Sequence, residues 1–264
     1  MSSIGAWARR HPLVAFFALA YALSWWPWVW YRADPAAMDS PILPFGPLLA
    51  ALIVLALIGG RSEVLGFLSR ILHWRVKPGW YLFVLVVPPV VTAVAFGTNL
   101  FLGATLPAGT AFPEWGEIAV RFAFIFVAIG LGEEPAWRGF ALPRLMEGRT
   151  ALTAALLLGL LHALWHLPLF GVEYDLANGV PWLFAVLSVS VVAAWLVVNT
   201  GSLLLPALMH AMVNTSAFVW GWFAGGDQLR LWWIWAVLWV AVAALVATAT
   251  GPALKMVKPR KMAR

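Results

Sequence analysis

The sequence predicts an all-α polytopic membrane protein with about eight transmembrane helices and cytoplasmic N and C termini, and three observations carry that prediction. The 264 residues are 63% hydrophobic and 11% charged, whereas soluble domains are roughly half apolar and a quarter charged. Apolar runs of about 20 residues, enough to cross a hydrocarbon core of roughly 30 Å, recur along the whole chain. The basic residues, finally, sit in short loops beside those runs, where they set topology.

Taken in order, the candidate spans are 13–31, 43–60, 79–102, 117–134, 151–170, 181–199, 203–224 and 231–250. The first run follows Arg9 and Arg10 as in a signal peptide, but it is too long and too rich in tryptophan, so it reads as a retained helix. With the N-terminus in the cytoplasm, Arg9, Arg10, Arg61, Arg70, Arg75, Lys77, Arg138, Arg144, Arg149, Lys255, Lys258, Arg260, Lys261 and Arg264 share the inner side. That is 14 of 17 basic residues, leaving Arg32, Arg121 and Arg230 elsewhere. Asp34, Asp39, Glu114, Glu173, Asp175 and Asp227 collect outside. Segment 61–77, with Val64, Leu65, Phe67, Leu68, Ile71 and Leu72 among basic residues, is amphipathic and reads either as an interfacial helix or as an ordinary loop helix. Trp25, Trp26, Trp28, Trp232, Trp233, Trp235 and Trp239 lie near span ends and are expected to anchor at the headgroups. Met209 and Met212 are expected to pack. The chain reads as one domain over 1–264, integral to a bacterial-type cytoplasmic membrane.

Composition also narrows the chemistry. The chain has no cysteine, which removes disulfides, thiolate metal sites and a cysteine nucleophile. A formal charge of +6 reflects the positive-inside pattern, and nucleic acid is not an expected partner. No Walker A, dinucleotide fingerprint or Gly-x-Ser-x-Gly stands in a convincing context, and Ser188 and Ser190 lack a base partner. No inverted repeat marks a transporter.

Ionisable side chains at membrane depth are costly, about 2.5–3.5 kcal/mol on insertion scales, and are functional candidates by default. They form three clusters here. Glu133 and Glu134 precede Pro135, and Arg138 stands one turn after Glu134, so the latter two share a face and can pair. Gly130, Gly132 and Pro135 lead us to expect a kink or break there, with one carboxylate held by arginine and the other left as a general base. His162 and His166 are one turn apart on the fifth span, as are His210 and Asn214 on the seventh. A carboxylate, imidazoles and an amide from three helices suffice to activate water and stabilise an oxyanion. Glu133, His166 and His210 are also ligand types that suit Zn²⁺, although HExxH is absent.

Three pieces resemble the CPBP family of CAAX prenyl proteases and bacteriocin-processing, Abi-type, intramembrane proteases. EEPAWR at 133–138 is similar to its Glu-Glu-x-x-x-Arg, HALWHLP at 162–168 to its aromatic-x-x-x-His, and HAMVN at 210–214 to its His-x-x-x-Asn/Asp. The motif core covers about 117–220. The resemblance implies an eight-helix endopeptidase in which Glu133 and His166 activate water, His210 and Asn214 support the oxyanion, and Glu134 and Arg138 are structural supports. Members have been discussed both as zinc enzymes and as metal-independent glutamate proteases, so Zn²⁺ stays open. His162 departs from the pattern by standing where the family has an aromatic ring, which leaves it as a packing residue or an accessory imidazole.

The expected function is therefore hydrolysis of a membrane-associated peptide or protein near the inner face, without a covalent acyl-enzyme. A non-enzymatic scaffold or immunity-type protein and a proton-coupled transporter are the alternatives. One difficulty stands in the spans themselves. Glu133 falls at the end of span four, while His166 lies some 15 residues into span five, roughly 22 Å along its axis. Either span four continues past Pro135, or span five begins as a cytoplasmic extension.

Overall fold

A computed structural model describes residues 3–34, 36 and 45–256. Asp39, Lys258, Arg260, Lys261 and Arg264, along with residues 43 and 44 of the second expected span, lie outside the described residues. Among the described residues the chain forms helices α1 (Ser3–Arg10), α2 (Pro12–Ala33), α3 (Gly46–Ile71), α4 (Pro78–Phe101), α5 (Trp115–Leu145), α6 (Ala151–Trp165), α7 (Gly179–Thr200), α8 (Leu204–Ser216) and α9 (Gly225–Thr250). Six helical stretches are long and apolar enough to cross a bilayer, namely α2, α3, α4, α5, Leu176–Thr200 and α9. The protein is an integral membrane protein. The fifth and seventh expected spans are shorter than drawn, because α6 has 15 residues and α8 has 13. Helix α6 stops at Trp165 with His166 as its C-cap, and α8 runs six residues past His210.

Of the kink or break expected at Pro135, the break is absent. The chain instead winds into wider π turns over Phe126–Gly130 and Pro135–Ala141, with a single α turn carrying Glu133 and Glu134 between them. Leu131 N donates to Phe126 O, and Leu142 N to Trp137 O, both five residues back. Proline donates nothing to such a ladder, so the rewinding takes it into a continuous helix; π turns of this kind recur at functional sites. Of the two ways to bring Glu133 to His166, the first is the one realised. Twelve positions separate Glu133 from Leu145, and eleven separate Ala151 from His162. Two antiparallel helices leaving one turn therefore hold these side chains at equal depth, roughly 17 Å from it.

Close helix contacts rest on small residues, as lipid-embedded packing requires. A Cβ on Gly130 would stand 2.7 Å from Ala207 O, so α8 crosses α5 at that point. A Cβ on Gly159 would stand 3.0 Å from Ser190 Cβ, and Ser190 Oγ donates to Ala155 O at 2.8 Å, which joins α6 to α7. Ser188 likewise donates to Phe184 O. Both serines are thus spent on backbone carbonyls.

Segment 61–71 is helical and mostly exposed, and it continues α3 past a bend. Gly60 adopts φ 69°, a left-handed conformation that bends α3, and Arg9 donates to the freed carbonyls of Ile58 and Leu57 at 2.8 and 3.3 Å. Beyond the bend the helix runs to Ile71 and docks on α5. Phe67 is buried, and Arg70 donates to Gly139 O at 3.2 Å.

The tryptophans divide. Trp26 and Trp233 are exposed, as anchors should be, whereas Trp28, Trp235 and Trp239 are buried in the core. Arg138 also leaves the inner-side set of cations, being 1% exposed. Met209 packs in the core as expected.

Candidate active site

Helix α5 supplies Glu133, Glu134 and Arg138, the end of α6 supplies His162 and His166, and α8 supplies His210 and Asn214. Glu133 and Glu134 are 4% and 2% exposed, and being consecutive on a helix they point to different neighbours. Two arms result.

In the first arm His162 Nε2 donates to Glu133 Oε2 at 3.0 Å. His166 Nδ1 donates to the His162 carbonyl at 3.0 Å. A carbonyl only accepts, so this bond fixes the His166 proton on Nδ1 and leaves Nε2 with its lone pair free. Ligand-type atoms of Glu133, His162 and His166 all lie within 4.8 Å of one another. Glu133 Oε1 takes no hydrogen bond from the described residues, and His162 Nδ1 is buried without a partner.

In the second arm Glu134 sits between two cations. Its Oε2 lies 3.1 Å from Arg138 Nε, an ion pair poorly aligned for a hydrogen bond, and its Oε1 accepts from His210 Nδ1 at 2.9 Å. Trp137 packs against the His162 ring at 5.1 Å and is fixed in turn by Phe16 and Phe17 of α2. The rings of His162 and His210 stand 6.4 Å apart, so the two arms face each other.

A cavity of about 690 Å³ opens onto both arms. Glu134, Arg138, His162, His166, His210 and Asn214 line its floor, and Trp182, Trp220, Trp232 and Trp235 line its apolar walls. Trp232 and Trp235, expected at the headgroups, therefore belong to the cavity. Its exposed rim carries Arg121, Phe124, Glu173 and Asp175. The rim lies at the far end of α2, where Arg32 donates to Phe170 O. That end is opposite the N-terminus and is the one to which the charge pattern assigns the acidic loops. A cytoplasmic N-terminus and a cavity that opens at the inner face do not fit together here.

Of the residues singled out from sequence, Glu133 and His166 come together, and His210 and Asn214 share the cavity with His166. Glu134 and Arg138 are in contact. The zinc trio read from sequence, Glu133, His166 and His210, differs from the trio that the fold gathers. His210 is held by Glu134, and His162 takes its place beside Glu133. His162 is thus more than the packing substitute for an aromatic ring. Sequence reasoning missed Tyr174, Asn178 and Trp182 on the cavity wall, which fall in or just after an acidic loop with no periodicity to mark them. Their one signal was position, within 16 residues of His166. Burial pushes the Tyr174 phenol up from its ordinary pKa, and the Glu133 and Glu173 carboxylates push the same way, so it stays protonated.

Residues 115–216 match the family model described as Rce1-like, type II CAAX prenyl endopeptidase. A CAAX prenyl protease 2 of Methanococcus maripaludis is 27% identical to the chain over 105 residues. That match covers 36% of this chain and 39% of the relative, so the chain aligns with well under half of the relative's length.

Proposed function

We propose that this chain is an intramembrane endopeptidase of the CAAX-protease type and of the CPBP family, a reading supported by the match of residues 115–216 to the Rce1-like model and by the likeness to a CAAX prenyl protease 2. It hydrolyses a peptide bond in a membrane-associated peptide or protein, in a bacterial-type cytoplasmic membrane. One observation carries the reading: a carboxylate oxygen of Glu133 and a ring nitrogen of His166 lie within 4.8 Å of each other, and His166, whose Nε2 is free, lines the cavity.

The proposed reaction uses these groups in turn. Water held between Glu133 Oε1 and His166 Nε2 gives up a proton to them as its oxygen attacks the scissile carbonyl carbon. The carbonyl π pair moves onto oxygen, and the resulting oxyanion is bound by Asn214 Nδ2–H and by doubly protonated His210 through Nε2–H. The carbon–nitrogen bond then breaks, and the leaving nitrogen takes the proton back. Glu134 keeps His210 turned toward the cavity and is balanced by Arg138. No covalent acyl-enzyme forms.

Glu133, His162 and His166 also fit a zinc ion, since one carboxylate and two imidazoles form a usual catalytic ligand set and His162 Nδ1 is a buried nitrogen without a partner. When bound there, zinc supplies Lewis acidity and a water of lowered pKa. The test is reconstitution of the purified protein in proteoliposomes with internally quenched, lipid-anchored peptides, with and without a prenyl group. Cleavage by the parent and none by Glu133→Gln supports the reading, and equal turnover by both removes it.

A further inference from the structure

After His166 the chain runs L-P-L-F-G-V-E-Y-D, and the fold spends unusual effort on this stretch. A 3-10 turn at Leu167–Leu169 leads into a tight loop in which Tyr174 N and Glu173 N donate to Leu169 O at 3.2 and 2.9 Å. Gly171 N donates to Tyr174 O at 2.7 Å, and Gly171 adopts φ 83°, which only glycine takes without strain. From the neighbouring α2, Arg32 donates to Phe170 O at 2.5 Å. The loop is therefore closed by its own backbone and pinned from outside, with no contribution from the Tyr174 hydroxyl.

What this framework holds in place is the Tyr174 side chain. Its ring is walled by Phe170 at 5.3 Å and Trp182 at 5.8 Å, and it meets the edge of His166 at 6.1 Å between centroids. Trp182 packs on the other side of His166 at 5.1 Å. Tyr174 lines the cavity, and its hydroxyl has no hydrogen-bond partner among the described residues. A tyrosine that is largely covered ordinarily gives its O–H a partner, and phenylalanine would fill the same aromatic box. The fold makes no use of the hydroxyl, and the ring that carries it packs against the imidazole on which the proposed chemistry turns. Of its acidic neighbours, Asp175 accepts from Ala177 N at 2.9 Å, and Glu173 is exposed.

We propose that Tyr174 is a catalytic hydrogen-bond donor, its hydroxyl binding the oxyanion that forms on the scissile carbonyl beside His166. This rests on the hydrolase reading above and adds a donor from the α6–α7 loop to His210 and Asn214 of α8. A neutral phenol suits the task, because it donates to an anion without placing a further charge in the apolar cavity. Loop and chemistry are thereby coupled: displacing the Arg32 contact moves the donor.

The experiment uses the full chain in proteoliposomes and the best-cleaved member of an internally quenched, lipid-anchored peptide library. Tyr174→Phe keeps the ring in its box, so thermal stability is expected to match the parent. kcat is expected to fall about 10²-fold, the usual loss for one oxyanion donor, with KM within about threefold of the parent, as expected for a contact made only in the transition state. A phosphinate analogue of the same peptide, which presents the tetrahedral anionic oxygen, is expected to bind Tyr174→Phe about 10²-fold more weakly. The uncleaved parent peptide, measured on Glu133→Gln with and without Tyr174→Phe, is expected to bind equally. Parent-like kcat in Tyr174→Phe overturns the proposal, as does a change confined to KM or a joint loss of stability and activity. If the parent itself cleaves no library member, the hydrolase reading falls, and this inference falls with it. Cleavage by the parent with equal cleavage by Tyr174→Phe removes the Tyr174 role alone.

Discussion

Two clusters of charge lie inside this bundle, and they are built in opposite ways. Where α4 meets α9, Arg230 donates to Asn99 Oδ1 and to Asp227 Oδ1, both at 2.8 Å. Asn99 Nδ2 donates to Asp227 O at 3.1 Å, and Thr105 N donates to Asp227 Oδ2 at 3.3 Å. Each of these charges is answered, and the Arg230 and Asp227 side chains are about one-third exposed to water. The cluster around Glu133 and Glu134 is nearly sealed, yet His162 Nδ1, Arg138 Nε and Nη1, and Glu134 Oε2 lack hydrogen-bond partners. Buried polar groups left unanswered cost about 1–3 kcal/mol each. The fold tolerates that cost beside the cavity and nowhere near the clamp. A saturated network closes two helix ends; the other leaves buried donors and acceptors unanswered at the base of the cavity.

Substitutions can break this contrast or sharpen it. Glu133→Gln keeps the shape but removes the base, so peptide cleavage is expected to fall about 10³-fold with thermal unfolding little changed. Comparable cleavage by the variant would place the two clusters in the same structural class. Arg138→Met leaves the buried Glu134 carboxylate with His210 as its one remaining partner, and a loss of about 3 kcal/mol is expected in detergent unfolding, along with activity. His162→Phe restores the ring of the family pattern while deleting the partner of Glu133. A drop of about 10 to 10²-fold in turnover is expected, the range for removing a group that orients a catalytic ligand; unchanged turnover would return His162 to a packing role. Asp227→Asn is the smallest, about 1 kcal/mol or less because the pair is partly solvated, with cleavage within twofold of the parent.

Much of this was legible in the chain. Spans appear as apolar runs because hydrocarbon sorts side chains by a single property, and one-turn spacings such as Glu134 to Arg138 follow from helix geometry. The continuity of α5 was not legible. Pro135 argues locally for a break, and only the π winding between α3 and α8 removes it. The role of His162 was hidden for a similar reason, since its spacing to His166 is visible whereas its distance to Glu133 depends on how deep two helices sit. Tyr174 gave no pattern because a loop residue acquires its neighbours from elements remote in sequence, here Arg32 and Trp182.

Alone, the sequence determined that the chain is helical, that it lives in a bilayer, and which polar types sit one turn apart, because these depend on residue chemistry and on the 3.6-residue repeat. The tertiary structure decided which carboxylate meets which imidazole, which end of the bundle the cavity opens toward, and which hydroxyl is left without a partner. Those outcomes depend on helix depth and rotation, which are set by close contacts such as that of Gly130 against Ala207 and by no local rule.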